Sequence, residues 1–327
     1  MKSEFQYFEL IKFDEQSILS KLSKRDGETK LGEKIMFDFS DSSCKYVVLG
    51  ISEDIGPQAN FGFGGSDKAF SSFLPRFLNV QSNRFLSGQE ICLYGEIKQT
   101  NPFYDIDEAR TRIEVLDNFV QSIAEPIIAA GKILIVIGGG HNNAYPLIKS
   151  VFGVTNEAID VFNLDPHSDC RALEGRHSGN PFSYAVANGY LKNYTVLGLH
   201  QQYNSESLLN YLDQHSFSYS FYEDYLDGTR DFKSNLQSIC SQADSDRSRG
   251  IELDMDSIVN MPSSAYTPSG FSVAEARIYM RTLAKLNNIA YIHLPEGAPR
   301  NENEEKIVGK TLVYLVVDFI KVNNSRK

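Results

Sequence analysis

The chain has 327 residues, of which 42% are hydrophobic and 23% charged, and a formal net charge of −10. That is enough chain to bury a large core, in a composition ordinary for a globular protein. The acidic balance gives no long-range attraction to nucleic acid or to an anionic membrane, so neither is expected as a partner.

Residues 1–43 are polar and turn-rich (SKRDGETKLGEK) and are expected to form an N-terminal extension with helical pieces, ahead of one catalytic domain over 44–327. Charges scattered through MKSEFQYFELIKFDEQ are unlike a signal peptide. The spacing then predicts a buried strand over 46–51 (YVVLGI), a loop holding Asn60, Gly62, Gly64 and Gly65, and a helix over 66–78 opened by a Ser cap, with Pro75 as a kink or break. Ile113, Leu116, Phe119, Val120 and Ile123 fall at helical spacing within 105–130. KILIVI (132–137) is a continuous apolar run of the kind that fills a parallel sheet covered on both faces. Further strands are expected at 158–164, 194–199, 217–222, 250–253 and 289–294, with helical patterns between most of them and a final helix over 306–322. The longest apolar runs, such as 133–137 and 312–317, are too short to cross a bilayer. The four cysteines (Cys44, Cys92, Cys170, Cys240) form no CxxC pair, against both a disulfide framework and a structural zinc site. These absences point to the cytoplasm. Strands alternating with helices predict an α/β fold with a mostly parallel sheet, in which ligands gather beyond the carboxyl ends of the strands.

Those ends carry the chemistry. After KILIVI comes Gly138-Gly139-Gly140-His141; after 158–164 comes Asp165-Pro166-His167-Ser168-Asp169; after 250–253 comes Asp254-Met255-Asp256; after 289–294 comes Pro295-Glu296-Gly297. Five carboxylates at one sheet edge do not all stay ionised without a cation, and a divalent ion turns their oxygens into ligands. Mixed His and Asp donors suit manganese, iron, cobalt or zinc. Six donors exceed the needs of one tetrahedral zinc and suit two ions roughly 3.5–4 Å apart that share bridging carboxylates. Asp165 and His167 are two apart, as are Asp254 and Asp256, so an extended backbone puts each pair on one side. A single DxD after a strand is more often a turn or cap; recurrence at several strand ends is what points to metal. The glycine run matches neither a dinucleotide fingerprint nor a phosphate loop.

On GGGH (138–141), DPHSD (165–169), DMD (254–256) and EGAP (296–299), the chain from about residue 46 onward resembles the ureohydrolases: arginase, agmatinase, formimidoylglutamase and relatives. The resemblance implies a three-layer αβα fold and two Mn2+ ions. Asp165 and Asp254 would bridge them, His141 and Asp169 would complete one site, and His167 and Asp256 the other. GGGH, in place of the arginase GGDH, looks like the formimidoylglutamase branch. So does Ser178-Gly179-Asn180-Pro181-Phe182, where arginases and agmatinases carry HGxP. Phe63 stands where the family's NGGRxG loop commonly has Arg.

The reaction so implied is hydrolysis of a linear amidine C–N bond, with N-formimidoyl-L-glutamate giving L-glutamate and formamide, a step of histidine degradation. Asp169 would return a proton to the leaving nitrogen, and Glu296 would pair with the cationic amidinium. Ser178, Asn180 and His177 are candidate substrate contacts, with His177 also a candidate proton shuttle. An arginase- or agmatinase-type guanidine hydrolase, a single-zinc deacetylase-like enzyme and a non-catalytic relative stay open as alternatives. Relatives are often trimers or hexamers, so a homo-oligomer is expected.

Overall fold

In the computed structural model of the chain, residues 7–243 and 246–325 are described; residues 1–6 of the expected extension and the last two residues lie outside them. Nine strands form one sheet: β1 (Phe8–Lys12), β2 (Tyr46–Ser52), β3 (Ile91–Gln99), β4 (Ile133–Ile137), β5 (Ile159–Leu164), β6 (Leu191–Leu199), β7 (Ser218–Phe221), β8 (Arg249–Leu253) and β9 (Ile289–Leu294). Their order is β1-β3-β2-β4-β9-β8-β5-β6-β7. Every pairing is parallel except β1 with β3.

The central strands are buried on both faces because their apolar residues serve two cores in alternation. Val48, Ile135, Ile251 and Ile292 face one core with the helices Ala69–Leu78, Val273–Leu283 and Glu302–Asn324. Val47, Leu134, Val136 and Val161 face the other with Ile106–Ala129 and Ala144–Thr155. This is the expected αβα arrangement, a sheet sealed by helices on each side. Asp105 and Asn301 cap the two longest of these helices by accepting from backbone N–H groups of the first turn.

Three expectations change. First, β1 and β3 were not expected. β3 carries Gly95 in its middle and Glu96 and Lys98 near its end, and β1 buries only Phe8 of its five residues, so neither reads as a buried apolar run. Through β1, the segment before residue 43 joins the sheet, and Leu31 and Ile35 enter a core. Second, Ser66 does not cap an α-helix. It opens a 3-10 turn, its hydroxyl donates to the Glu53 carbonyl, and the α-helix begins at Ala69. Third, of the kink or break expected at Pro75, the break is absent: the helix runs through Pro75. All four cysteines are free, and no helix among the described residues is long and apolar enough to cross a membrane.

Candidate metal centre

The ends of β4, β9, β8 and β5 are neighbours in the sheet, so the four motifs arrive side by side. The turn after β4 folds tightly because Gly138 and Gly139 take φ of 85° and 71°, a left-handed conformation that costs glycine little. A Cβ on Gly139 would also stand 2.6 Å from Asn143 Nδ2. The turn is held by Glu53, a fully buried carboxylate one residue past β2. Its Oε1 accepts from Gly140 N–H (2.8 Å) and Asn143 Nδ2 (2.7 Å), and its Oε2 from Ile55 N–H (2.7 Å).

That turn delivers His141. Its Nδ1 faces Asp169 Oδ2 at 2.9 Å, Asp254 Oδ2 at 3.1 Å and Asp165 Oδ2 at 3.2 Å. One ligand atom from each of the four lies within 4.8 Å of all the others. Asp165 and Asp254 are built alike: each turns Oδ1 back to accept the backbone N–H two residues on, from His167 and Asp256, at 2.7 Å. Their second oxygens are thereby aimed at the same point. His167 Nδ1 reaches Asp165 Oδ1 at 3.5 Å, and the ring stacks on Tyr203. Asp256 lies outside the tight group of four; it lines the adjoining pocket with His167 and accepts from Ala265 N–H at 3.3 Å.

The electrostatics ask for positive charge. Burial pushes Asp254 well above the carboxylate range, and the charges of Asp256 and Asp165 add to the effect. Burial likewise takes Asp256 up to about 6. Against burial, His141 and His167 hold Asp165 down at about 2. Most telling is His141: it is fully buried, yet neither ring nitrogen makes a well-aligned hydrogen bond, although three carboxylate oxygens crowd Nδ1. A buried imidazole lone pair converging with three carboxylates is a donor set that fits a divalent cation of the manganese, iron, cobalt or zinc group.

Above the cluster opens a pocket of about 130 Å³, lined by His167, Asp169, Ser178, Asp254, Asp256 and Glu296 among others. Glu296 sits at φ 69°, rare for a residue with a side chain, and strain of this kind gathers at functional sites. Its Oε1 accepts from His141 N–H at 2.6 Å and its Oε2 from the Ser264 hydroxyl. Burial, with repulsion from Asp256, raises its pKa to about 8. Asp169 is strained in the same sense, at φ 49°.

A family model described as the arginase family matches residues 58–320. The chain belongs to the arginase family. Among its relatives, the formimidoylglutamase of Staphylococcus epidermidis is 27% identical over 198 residues, 60% of each chain. That of Staphylococcus aureus is 25% identical over 224 residues, 68% of this chain and 63% of the relative. The match thus spans about three fifths of these curated relatives. The fold is shared with formiminoglutamase from Trypanosoma cruzi, a structure with two Mn2+ ions (TM-score 0.75, 19% identity, 92% of this chain and 100% of that one). It is shared also with formimidoylglutamase from Bacillus subtilis (TM-score 0.72, 17% identity, 93% and 94%).

In this arginase-family chain, Ser178 lines the pocket, whereas His177 and Asn180 do not. His177 is fully buried: Nδ1 accepts from Gly179 N–H at 3.1 Å, so Nε2 carries the proton and donates to Glu174 at 3.1 Å. Burial lowers its pKa to about 4. Asn180 spends its side chain on Arg176, on His177 N–H and on the carbonyls of Ala172 and Gly175. Both residues hold the loop that presents Ser178, and neither lines the pocket.

The sequence reading also missed two buried residues beside His141. Glu252 and His293 face each other across β8 and β9, with His293 Nδ1 2.7 Å from Glu252 Oε2. The same oxygen lies 3.5 Å from His141 Nε2. The signal was present: a Glu and a His inside otherwise apolar strands, with Glu252 two residues before Asp254 and therefore on the same face.

Proposed function

We propose that the chain hydrolyses a linear amidine C–N bond, with N-formimidoyl-L-glutamate as substrate and L-glutamate and formamide as products, using two Mn2+ ions. The observation that carries the reading is the unpartnered His141 Nδ1 among three carboxylate oxygens at the floor of a pocket. The relatives named formimidoylglutamase supply the choice of amidine. His141, Asp165, Asp169 and Asp254, together with His167 and Asp256, would hold the two ions. Two such ions supply Lewis acidity that makes water nucleophilic at neutral pH and balance the charge of the carboxylates.

The chain's own groups do the rest. Glu296 is placed to accept from the planar amidinium and fix its plane; its two oxygens are anchored by His141 N–H and the Ser264 hydroxyl, so it does so without swinging. Asp169, on the pocket wall, is placed to take a proton from the attacking water and return it to the departing nitrogen, which then leaves as a neutral amine. The buried floor of His141 and Asp165 keeps bulk water out from below. Partners beyond the small substrate are expected to be further copies of the same chain. Turnover of N-formimidoyl-L-glutamate and of arginine by manganese-loaded protein tests the reading; turnover of arginine alone would overturn the substrate.

A further inference from the structure

His141 turns its Nδ1 toward three carboxylate oxygens of the centre. A neutral imidazole has one lone pair and one N–H, so an Nδ1 that offers its lone pair to a cation leaves the proton on Nε2. That nitrogen is inside the protein: His141 is fully buried, and among the described residues Nε2 makes no well-aligned hydrogen bond. The group it faces is a carboxylate, with Glu252 Oε2 3.5 Å away. Glu252 is also fully buried and is not among the residues lining the pocket. Its other oxygen, Oε1, likewise makes no well-aligned hydrogen bond among the described residues. What holds Glu252 is His293, its register partner on β9, with Nδ1 2.7 Å from Oε2. An ionised carboxylate only accepts, so His293 Nδ1 is the donor. The far nitrogen of the same ring lies 3.4 Å from the carbonyl oxygen of Gly138, in the turn that delivers His141. The Glu252 carbonyl in turn accepts from the Tyr279 hydroxyl at 3.0 Å.

We propose that Glu252, held by His293, is a positioning residue of the metal centre: it accepts the Nε2–H of His141 and so fixes the tautomer whose Nδ1 lone pair faces the cation. The inference rests on the reading of His141 as a metal ligand. A negative acceptor behind the ring sets its orientation and makes the lone pair on the far side a better donor. The spacing makes the device rigid. Glu252 stands two residues before Asp254, so the face of β8 that leads to one ligand also carries the group that aims another. His293 supplies the donor without which Glu252 would be a buried anion with no partner, a costly state. The two residues therefore act through one contact, and neither needs to touch the substrate.

Manganese binding, read without turnover, separates this role from that of an ion pair that only fills the core. Mn2+ is titrated into folded, chelator-treated protein and the free ion is followed by its EPR signal. Glu252→Gln keeps the shape of the side chain and removes its charge; it is expected to weaken Mn2+ binding about 10-fold, and Glu252→Ala about 100-fold. His293→Ala should match Glu252→Gln, whereas His293→Asn, which keeps an N–H near the place of Nδ1, should stay within about threefold of wild type. The double variant Glu252→Gln/His293→Ala should bind no more weakly than the worse of its two single changes, because both break the same contact. At saturating Mn2+, KM for N-formimidoyl-L-glutamate should be unchanged, since neither residue lines the pocket. Urea unfolding of the same variants with chelator present gives the structural contribution. Loss of stability with wild-type Mn2+ affinity, or fully additive losses in the double variant, overturns the proposal. Should Glu252→Gln fail to fold, the His293 pair decides: equal affinity in His293→Ala and wild type overturns it. Wild-type protein that binds no Mn2+ overturns the metal centre together with this proposal.

Discussion

Replacing Glu53 by alanine should damage both the fold and the metal centre, although Glu53 touches no expected ligand side chain. Its two oxygens accept five buried donors, three of them at 2.7–2.8 Å: Gly140 N–H, Asn143 Nδ2 and Ile55 N–H. Each donor left without an acceptor costs about 1–3 kcal/mol. Removing a carboxylate that burial already disfavours, as its raised pKa shows, offsets part of that sum. The net is a loss of about 3 kcal/mol of folding stability. Because Gly140 precedes His141, the loosened turn should also lower manganese affinity, by about 10- to 100-fold, as losing a group that orients a metal ligand does. Urea unfolding with chelator present gives the first number, and metal titration of the folded protein the second. A stability loss under about 1 kcal/mol together with unchanged metal affinity would refute this account of the turn.

Further outcomes follow from the same geometry. The folded chain refuses His177 a proton until about pH 4, whereas the unfolded ring takes one near 6.5. The unfolded state therefore binds more protons in that window, and stability should rise from pH 4 to 6.5 and be lost on acidification, by about 3 kcal/mol in all. His177→Asn should flatten this slope in chelator-treated protein, and an unchanged slope would count against the assignment. Asn180→Ala should cost about 2–4 kcal/mol in denaturant unfolding yet leave KM within about threefold, because Asn180 binds Arg176 and the loop rather than the pocket; a selective rise in KM would return it to the substrate contacts. Asp256→Ala should weaken or empty one of two metal sites and largely abolish turnover, and full activity at wild-type stoichiometry would contradict its place as a ligand.

What the sequence made legible follows the strength of the local signal. KILIVI and IAYIHL are continuous apolar runs, and both became central strands with bounds within a residue of those expected. The ligand candidates were visible because each stands just past such a run, and a parallel sheet brings those ends to one edge. β1 and β3 escaped because edge position and a mid-strand glycine break the pattern. Glu53 and Glu252 escaped for a different reason. A lone charged residue carries no periodicity, and its meaning lies in partners 41 to 90 positions away, such as His293 for Glu252 and Asn143 for Glu53. The sequence does not show that the loop around Ser178 turns the side chains of His177 and Asn180 inward, because that depends on bonds to Arg176, Gly175 and Glu174.

The most direct test is manganese content measured beside activity. Protein reconstituted with Mn2+ and freed of loose metal should carry two ions per chain by elemental analysis, with turnover of N-formimidoyl-L-glutamate rising as the second site fills. A plateau at a single ion, or one tightly held zinc with no response to manganese, would contradict a centre built from His141, Asp165, His167, Asp169, Asp254 and Asp256.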